Sequence, residues 1–313
     1  MEENTRNYIE LIDELRREYK IKVETFCNGI CDPRFYRRML SGERNITHQR
    51  IFQFCEKLKL SPSDFYYTAS KRDRYELQKI YNLYQMIYTH DYSRFTEELS
   101  KINRKKLISK QNEKFLEYCI LKSSVVHKTE SDEKIIRELF ELVDYPVCLD
   151  KDTFDFVDIN VLMLIAEIQI KYDEVQTLNK LIEILNNHKK IISRSDTNHM
   201  YPAIYTNASL FLCRINRFED ALTLSSSGIK FSKEYNNLSS MGRLYYVKSH
   251  SLLKLGRKRE AEIEAARCIA CAIAKDNPEE LRVFFKEIEL DHKINPIDLI
   301  KRHQESLNTK KAG

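Results

Sequence analysis

Residues 32–42 read Asp-Pro-Arg-Phe-Tyr-Arg-Arg-Met-Leu-Ser-Gly and carry their own start and stop signals for a helix. Asp32 is a good N-cap, and Pro33 suits the first helical position, where the backbone needs no N–H donor. Gly42 can adopt the left-handed conformation that ends many helices. This punctuation predicts a short helix of about two and a half turns.

The side chains of this short helix divide into two sets. Phe35, Met39 and Leu40 are apolar and are expected to face the core. The remaining side chains are then expected to point outward, and they are Arg34, Tyr36, Arg37 and Arg38. Between residues 28 and 50 the net charge is +3, so the segment is basic as well as compact. Charge of this kind alone also fits an ordinary solvated helix.

Short helices are predicted on both sides of residues 32–42. An amphipathic helix begins near Thr5, and a second short helix covers Val23–Cys27. A further helix covers Thr47–Leu58, and Ser61-Pro-Ser-Asp64 opens another with a cap, a proline and an acid. This order of short helices around an arginine-rich helix favours a helix-turn-helix domain.

Two stretches strengthen that prediction. They read Phe35-Tyr-Arg-Arg-Met-Leu-Ser-Gly-Glu-Arg-Asn-Ile-Thr47 and Leu58-Lys-Leu-Ser-Pro-Ser-Asp-Phe65. Together they resemble the repressor-type helix-turn-helix of Rgg and PlcR regulators. The resemblance implies that Asp32–Arg38 enters the major groove of double-stranded DNA, where arginine binds guanine edges or phosphates. The expected DNA contacts are Asp32, Arg34, Tyr36, Arg37, Arg38 and Arg44.

From about Asp73 onward the sequence indicates pairs of helices. In a recurring pattern, an apolar or small residue follows three positions after an aromatic or basic turn residue. The pattern ends at Phe95, Val175, Ala221 and Ala261, with a weaker copy at Ile136. The successive spacings are 41, 39, 46 and 40 residues, which is typical of stacked two-helix repeats.

The two C-terminal copies resemble tetratricopeptide repeats. Matching positions 40 residues apart are Tyr205 and Tyr245, Leu212 and Leu252, and Ala221 and Ala261. The expected fold is therefore all-α, with a helix-turn-helix domain at residues 1–70. A right-handed superhelix of tetratricopeptide-like helix pairs is expected at 71–305, followed by a disordered tail at 306–313.

Stacked helix pairs curve, and the first helix of each pair lines a concave surface. We expect polar side chains on that surface to bind a short signalling peptide, because asparagine can bridge a peptide bond and arginine can bind a carboxylate. The candidates are Asn160, Asn207, Arg214, Arg243, Tyr246 and His250. The alternative is that these are ordinary solvated positions, with Asn207 joining neighbouring repeats.

The composition excludes several other classes. The longest apolar run, Val161–Ala166, is far shorter than a membrane span, and the polar N-terminus predicts no signal peptide. A cytoplasmic location and reduced cysteines are therefore expected. The pair Cys268 and Cys271 lies in a predicted helix, and Cys27 and Cys31 lack further ligands at metal-binding spacing. No cofactor, metal site or enzymatic activity is expected, since no catalytic or phosphate-binding motif occurs.

These observations predict a transcription regulator that binds double-stranded DNA and is controlled by a short peptide, as in quorum sensing. A homodimer is expected because helix-turn-helix domains of this kind bind DNA as dimers, with one domain on each of two half-sites. Two alternatives remain open. One is a helical-repeat scaffold that binds a protein partner, and the other is a Rap-like regulator without DNA binding.

Overall fold

The computed structural model describes residues 6–87, 92–192 and 197–309. Apart from an isolated parallel bridge between Phe154 and Ile191, these residues form helices and loops, so the all-α prediction is confirmed. The helices are α1 (Arg6–Glu18), α2 (Val23–Cys27), α3 (Pro33–Leu40), α4 (His48–Lys57), α5 (Pro62–Ile87), α6 (Tyr92–Ser100), α7 (Lys110–His127), α8 (Asp132–Val143), α9 (Phe156–Gln169), α10 (Gln176–Asn186), α11 (Tyr201–Arg214), α12 (Phe218–Glu234), α13 (Met241–Lys254), α14 (Lys258–Ala274), α15 (Pro278–His292) and α16 (Pro296–Thr309).

The chain divides into two compact units, Met1–Glu138 and Leu139–Gly313. We expected a domain boundary after residue 70, but that position lies inside α5, a continuous helix of 26 residues. The reason is local, because no glycine or proline follows Pro62 before the helix ends at Ile87. The two compact units divide after Glu138 instead. At the other end of the chain α16 continues to Thr309, so residues 306–309 of the expected tail are helical. Residues 310–313 lie outside the described residues.

The first helices of unit 1 form a helix-turn-helix head around one core. The Asp32 carboxylate accepts a hydrogen bond from the Arg34 backbone N–H at 2.7 Å, Pro33 opens α3, and Gly42 has a φ of +81°. The Thr47 hydroxyl caps α4 by accepting from the Arg50 N–H at 3.3 Å. The fully buried side chains of this core are Ile9, Ile12, Phe26, Tyr36, Met39, Ile51, Phe54, Cys55 and Phe65. Their burial holds α1 to α5 together.

The predicted helix pairs are also present. The repeated positions fall at or just before the second helix of each pair: Phe95 in α6, Ile136 in α8, Val175 before α10, Ala221 in α12 and Ala261 in α14. In unit 1, α5 packs on α6 and α7. In unit 2, α9 packs on α10, α11 on α12, and α13 on α14. The pair α15 and α16 begins at Pro278 and Pro296, as their Asn-Pro sequences predict.

Packing inside unit 2 is tight. A Cβ atom added to Gly228 of α12 would lie 2.6 Å from Tyr205 Cβ of α11, so glycine is needed for the close approach of these helices. Helix α9 is apolar on all sides, and every one of its residues except Glu167 is buried. Among the described helices, none is long and apolar enough to cross a membrane.

Candidate functional site

Helix α3 presents its arginines to solvent. The side chains of Arg34, Arg37 and Arg38 are exposed, and Arg44 is exposed in the segment after the helix. Asp32 is exposed too, and its carboxylate is used as the N-cap. The structure thus places the predicted basic residues along the outer side of one short helix and the segment that follows it.

Tyr36 is an exception, and the prediction that it points outward is wrong. Its side chain is fully buried, and its hydroxyl donates a hydrogen bond to the Asp13 carboxylate of α1 at 2.9 Å. The ring packs edge-on against Phe26 and Phe54. Burial, followed by the nearby Asp13 charge, raises the pKa of the Tyr36 hydroxyl, so it remains a proton donor. Tyr36 therefore anchors α3 instead of contacting a ligand.

Asp13 is the buried acceptor that fixes this arrangement, and sequence analysis missed it. It accepts Arg16 Nε at 2.8 Å and lies 2.8 Å from a terminal guanidinium nitrogen of Arg17. Arg16 also donates to the Ile21 carbonyl at 2.5 Å, which ties the end of α1 to the segment before α2. A carboxylate four residues after the core residue Ile9 was the available signal, since positions i and i+4 share a helix face.

Phe35 is only half-buried, although it was expected to face the core. The guanidinium of Arg50 lies over its ring, 4.5 Å from the centroid. Because α3 turns Tyr36 and Met39 inward, Phe35 is left at the edge of the core, where it supports a cation of α4. Arg50 thereby joins the basic side chains of the head.

The exposed arginines have weak partners within the head. Arg38 Nε lies 3.0 Å from a Glu43 carboxylate oxygen, and the Ser41 hydroxyl donates to the same carboxylate at 3.0 Å. These hydrogen bonds, Ser41 first and then Arg38, lower the pKa of Glu43. Arg37 lies 4.0 Å from the Glu24 carboxylate. Exposed pairs of this kind contribute little to stability, so the arginines can exchange carboxylate for phosphate at small cost.

In unit 2 the structure corrects the prediction for Asn160. This residue is not on an open surface but fully buried within α9. Its Nδ2 donates to the Phe156 carbonyl at 2.9 Å, while its Oδ1 is buried without a hydrogen-bond partner. The cause is the apolar surface of α9 on all sides, which neighbouring helices cover completely. By contrast, Asn207 on α11 is half-buried and Arg214 at the end of α11 is exposed.

The other three candidates lie on α13 and face α15. Tyr246 donates to the Asp291 carboxylate at 3.1 Å, and His250 Nδ1 lies 2.7 Å from the same oxygen. Arg243 places its guanidinium over the Phe284 ring, 5.5 Å from the centroid. These polar groups are half-buried and bonded to protein, so a ligand here would have to share Asp291 or replace it.

The carboxylates on α15 were not foreseen. Burial disfavours ionisation of Asp291, but the hydrogen bonds from His250 and Tyr246 outweigh it, so the pKa of Asp291 is lowered. Glu287, one turn earlier, keeps an oxygen buried without a hydrogen-bond partner, and burial raises its pKa. Only the tertiary fold brings these acids to α13, because Tyr246 and Asp291 lie 45 residues apart in sequence.

In the described part of the chain, histidines and cysteines form neither a metal site nor a disulfide. Within the described residues, no group of three or more histidine, cysteine or acidic side chains could hold a metal ion. His48 lies 2.7 Å from the Tyr66 hydroxyl through its Nδ1. The cysteines are all reduced, and Cys268 is fully buried in α14.

Solved structures show which known fold this is. ComR from Streptococcus vestibularis in its apo form matches with a TM-score of 0.53 at 16% identity, over 92% of this chain and 99% of that chain. ComR from S. thermophilus, in complex with DNA and its signalling peptide ComS, gives 0.50 at 16% identity, over 92% and 100%. The chain has the ComR fold.

The ComR fold accounts for both the head and the repeats, since the match spans nearly the whole of each chain. PlcR from Bacillus thuringiensis, in complex with a peptide and DNA, is also similar, with a TM-score of 0.45 at 18% identity over 88% and 98%. No protein-family model and no curated protein sequence matches the chain. The two ComR structures therefore confirm the predicted fold, a helix-turn-helix head followed by helical repeats.

Proposed function

We propose that this protein is a DNA-binding transcription regulator controlled by a short signalling peptide that its repeats bind. The observation that carries the proposal is the division of α3 into two sides. Tyr36 and Met39 hold the inner side to the core, while Arg34, Arg37 and Arg38 remain exposed on the outer side. A short, rigidly anchored helix with outward arginines suits the major groove.

The fold supports the part of the proposal that concerns peptide binding. ComR of S. thermophilus is seen with both DNA and a signalling peptide, and the present chain has the same fold at low identity. Asn207, Arg214, Arg243, Tyr246 and His250 are our candidates for peptide contacts. Asn160 could take part only after a rearrangement that exposes α9. A cytoplasmic homodimer, in which the peptide shifts the population of head arrangements, completes the proposal.

DNA binding is tested first, with duplex DNA from upstream of the gene and fluorescence anisotropy across a salt series. The variant with Arg37→Ala and Arg38→Ala should bind more weakly, and its salt dependence should flatten by about 0.9 in log–log slope per lost phosphate contact. The variant with Arg259→Ala and Arg282→Ala is the matched control, since it removes two exposed arginines from unit 2. Equal affinity and slope in the double variant and wild type would remove α3 from the interface.

Peptide binding is tested with synthetic peptides encoded beside the gene. Asn207→Ala should weaken binding while the circular dichroism spectrum stays unchanged. Gln176→Ala, which removes an exposed amide from α10, should bind as wild type does. If both variants bind equally, the proposed contact by Asn207 is wrong.

If the wild-type chain binds no DNA even at low salt, the result would favour the alternative in which the protein is a helical-repeat scaffold for a protein partner.

A further inference from the structure

Cys27 and Cys31 lie in the turn that connects α2 to α3. Cys27 is the last residue of α2, and its carbonyl accepts hydrogen bonds from the backbone N–H of Ile30 at 2.9 Å and of Cys31 at 3.1 Å. Gly29 allows this turn with a φ of +80°. The turn winds the chain back so that the two thiols are neighbours in space.

The Cys27 and Cys31 side chains lie at the surface of the head. Cys27 is buried and Cys31 is half-buried, yet both line an open groove together with Glu24, Asn28 and Asp32. A small molecule in solvent can therefore reach Cys31 first and find Cys27 directly behind it. The C-x-x-C pair in α14, Cys268 and Cys271, instead lies along the body of a regular helix.

The turn is close to the geometry of a disulfide but does not yet match it. Residues one helical turn apart have Cβ atoms about 5–6 Å apart. A disulfide requires about 3.5–4.5 Å between Cβ atoms. Joining the two sulfurs therefore needs the turn to tighten by about an ångström or more, which its exposed residues Asn28 and Gly29 leave room for.

From this placement we infer that Cys27 and Cys31 are a redox-sensitive pair, which a peroxide converts into a disulfide. The Cys31 thiolate attacks one peroxide oxygen, the O–O bond breaks, and the leaving hydroxide takes up the one proton that the Cys31 thiol had released, which gives water. Cys31 is then a sulfenic acid. Cys27 sulfur attacks it, the S–O bond breaks, and the departing hydroxide takes the Cys27 proton to form a second water. Two thiols are oxidised and one peroxide is reduced to two waters.

Local electrostatics assign the first step to Cys31. Burial raises the pKa of Cys27 to about 12, so this thiol stays protonated. Burial also raises the pKa of Cys31, and the adjacent Asp32 carboxylate adds to this rise, while the hydrogen bond with Cys27 and the Arg50 guanidinium act in the opposite direction. Because the thiolate is the reactive form, oxidation accelerates as pH rises.

The disulfide would act on α3, a consequence that rests on the proposed function. Asp32 follows Cys31 directly, and its carboxylate caps α3 through the Arg34 N–H. A tightened turn moves this cap and Arg34 at the start of α3, while Tyr36 and Met39 hold the rest of the helix to the core. Loss of one bidentate base contact would lower DNA affinity by about tenfold.

The pair itself is tested in the full chain by mass spectrometry. Reduced protein is treated with hydrogen peroxide, denatured so that buried thiols are accessible, alkylated with N-ethylmaleimide and digested with trypsin. Residues 23–34 and 268–275 are single tryptic peptides, each with two cysteines. After oxidation, peptide 23–34 should carry no N-ethylmaleimide and should weigh two hydrogens less than the unlabelled dithiol peptide, and dithiothreitol should reverse both changes. Peptide 268–275 should remain labelled at both cysteines. Full labelling of peptide 23–34, or equal oxidation of both peptides, would contradict the inference that Cys27 and Cys31 are a redox-sensitive pair.

The coupling to DNA is tested on the same samples with duplex DNA at low salt. Oxidised wild type should bind about tenfold more weakly than reduced wild type, and dithiothreitol should restore binding. Cys31→Ser should be insensitive to peroxide, and Cys271→Ser should behave as wild type. Equal affinity of verified disulfide and dithiol forms would overturn the coupling. Failure of reduced wild type to bind any DNA would count against the proposed function. The peptide masses would still show whether Cys27 and Cys31 form a disulfide.

Discussion

Helices α3 and α13 both carry candidate binding residues, but they are packed differently. Helix α3 rests one side on the core of the head, and its outer arginines are exposed. Helix α13 contacts α11, α12, α14 and α15, and its polar residues Tyr246 and His250 bond to Asp291. The outer side of α3 can therefore bind a partner with the loss of only weak, exposed ion pairs, whereas α13 must exchange half-buried protein contacts for ligand.

The largest effect is expected on the inner side of α3. Asp13→Ala leaves the buried Tyr36 hydroxyl without its acceptor and removes the carboxylate partner of the half-buried Arg16, and should lower the free energy of unfolding by about 3 kcal/mol. Urea denaturation and hydrogen exchange of α1 and α3 amides measure it. Glu24→Ala, which removes an exposed acid from α2, is the control and should change neither. Similar losses in the two variants would contradict the anchoring role of Asp13.

The next largest loss of stability is expected for Gly228→Ala, which tests how tightly α12 packs against its neighbours α11 and α13. The Cβ of Gly228→Ala would lie 2.6 Å from Tyr205 Cβ and 3.0 Å from Leu244 of α13, so overpacking should cost about 2 kcal/mol. Gly256→Ala meets nothing within 4 Å and should cost about 1 kcal/mol, through its positive φ alone. Thermal melts separate the two. A neutral Gly228→Ala would show that α12 can move away from α11 and α13 freely.

A smaller effect depends on pH and on the other side of α13. Ser249 donates its proton to the Ala261 carbonyl at 2.8 Å, so it accepts from His292 Nε2 at 2.9 Å. Burial lowers the pKa of His292 below 6.5. As pH falls below 6.5, the unfolded chain is protonated before the folded chain, so stability declines. Melting temperatures between pH 8 and pH 5 should fall less steeply in His292→Asn; parallel curves would contradict this assignment.

The smallest effect on stability belongs to the outer side of α3. Arg38→Ala removes an exposed ion pair with Glu43, and the urea midpoint should stay unchanged. DNA affinity should nevertheless fall, because the side chain is available for phosphate. A clear shift of the midpoint would mean that Arg38 helps to hold the head together, and the contrast with α13 would weaken.

Much of the fold could be predicted because its signals are local. Asp32, Pro33 and Gly42 define α3, and the repeated positions predict the helix pairs. Helix α3 has only 8 residues, too few for periodicity to decide whether Phe35 or Tyr36 turns inward. That choice depends on Asp13, which is 23 positions away from Tyr36.

The candidate peptide residues were harder to place for the same physical reason. A projected register indicates which side of a helix a residue is on, but not whether another helix covers that side. Asn160 lies in an apolar helix that neighbours surround, and the run Val161–Ala166 next to it could have indicated this. The contact of Tyr246 and His250 with Asp291 depends on tertiary packing between two separate helices.

Helix α5 determines how the head can move. Its 26 residues form a rod about 39 Å long. Phe65 and Ala69 near one end belong to the core of the head, while α6 and α7 pack on the same rod. Head and first repeats therefore turn as one lever, and a tilt of about ten degrees would carry the far end of the rod about 7 Å. That displacement is more than half the width of the DNA major groove, about 12 Å. In the proposed dimer, a small rotation of this lever would therefore change the spacing between the two DNA-binding helices.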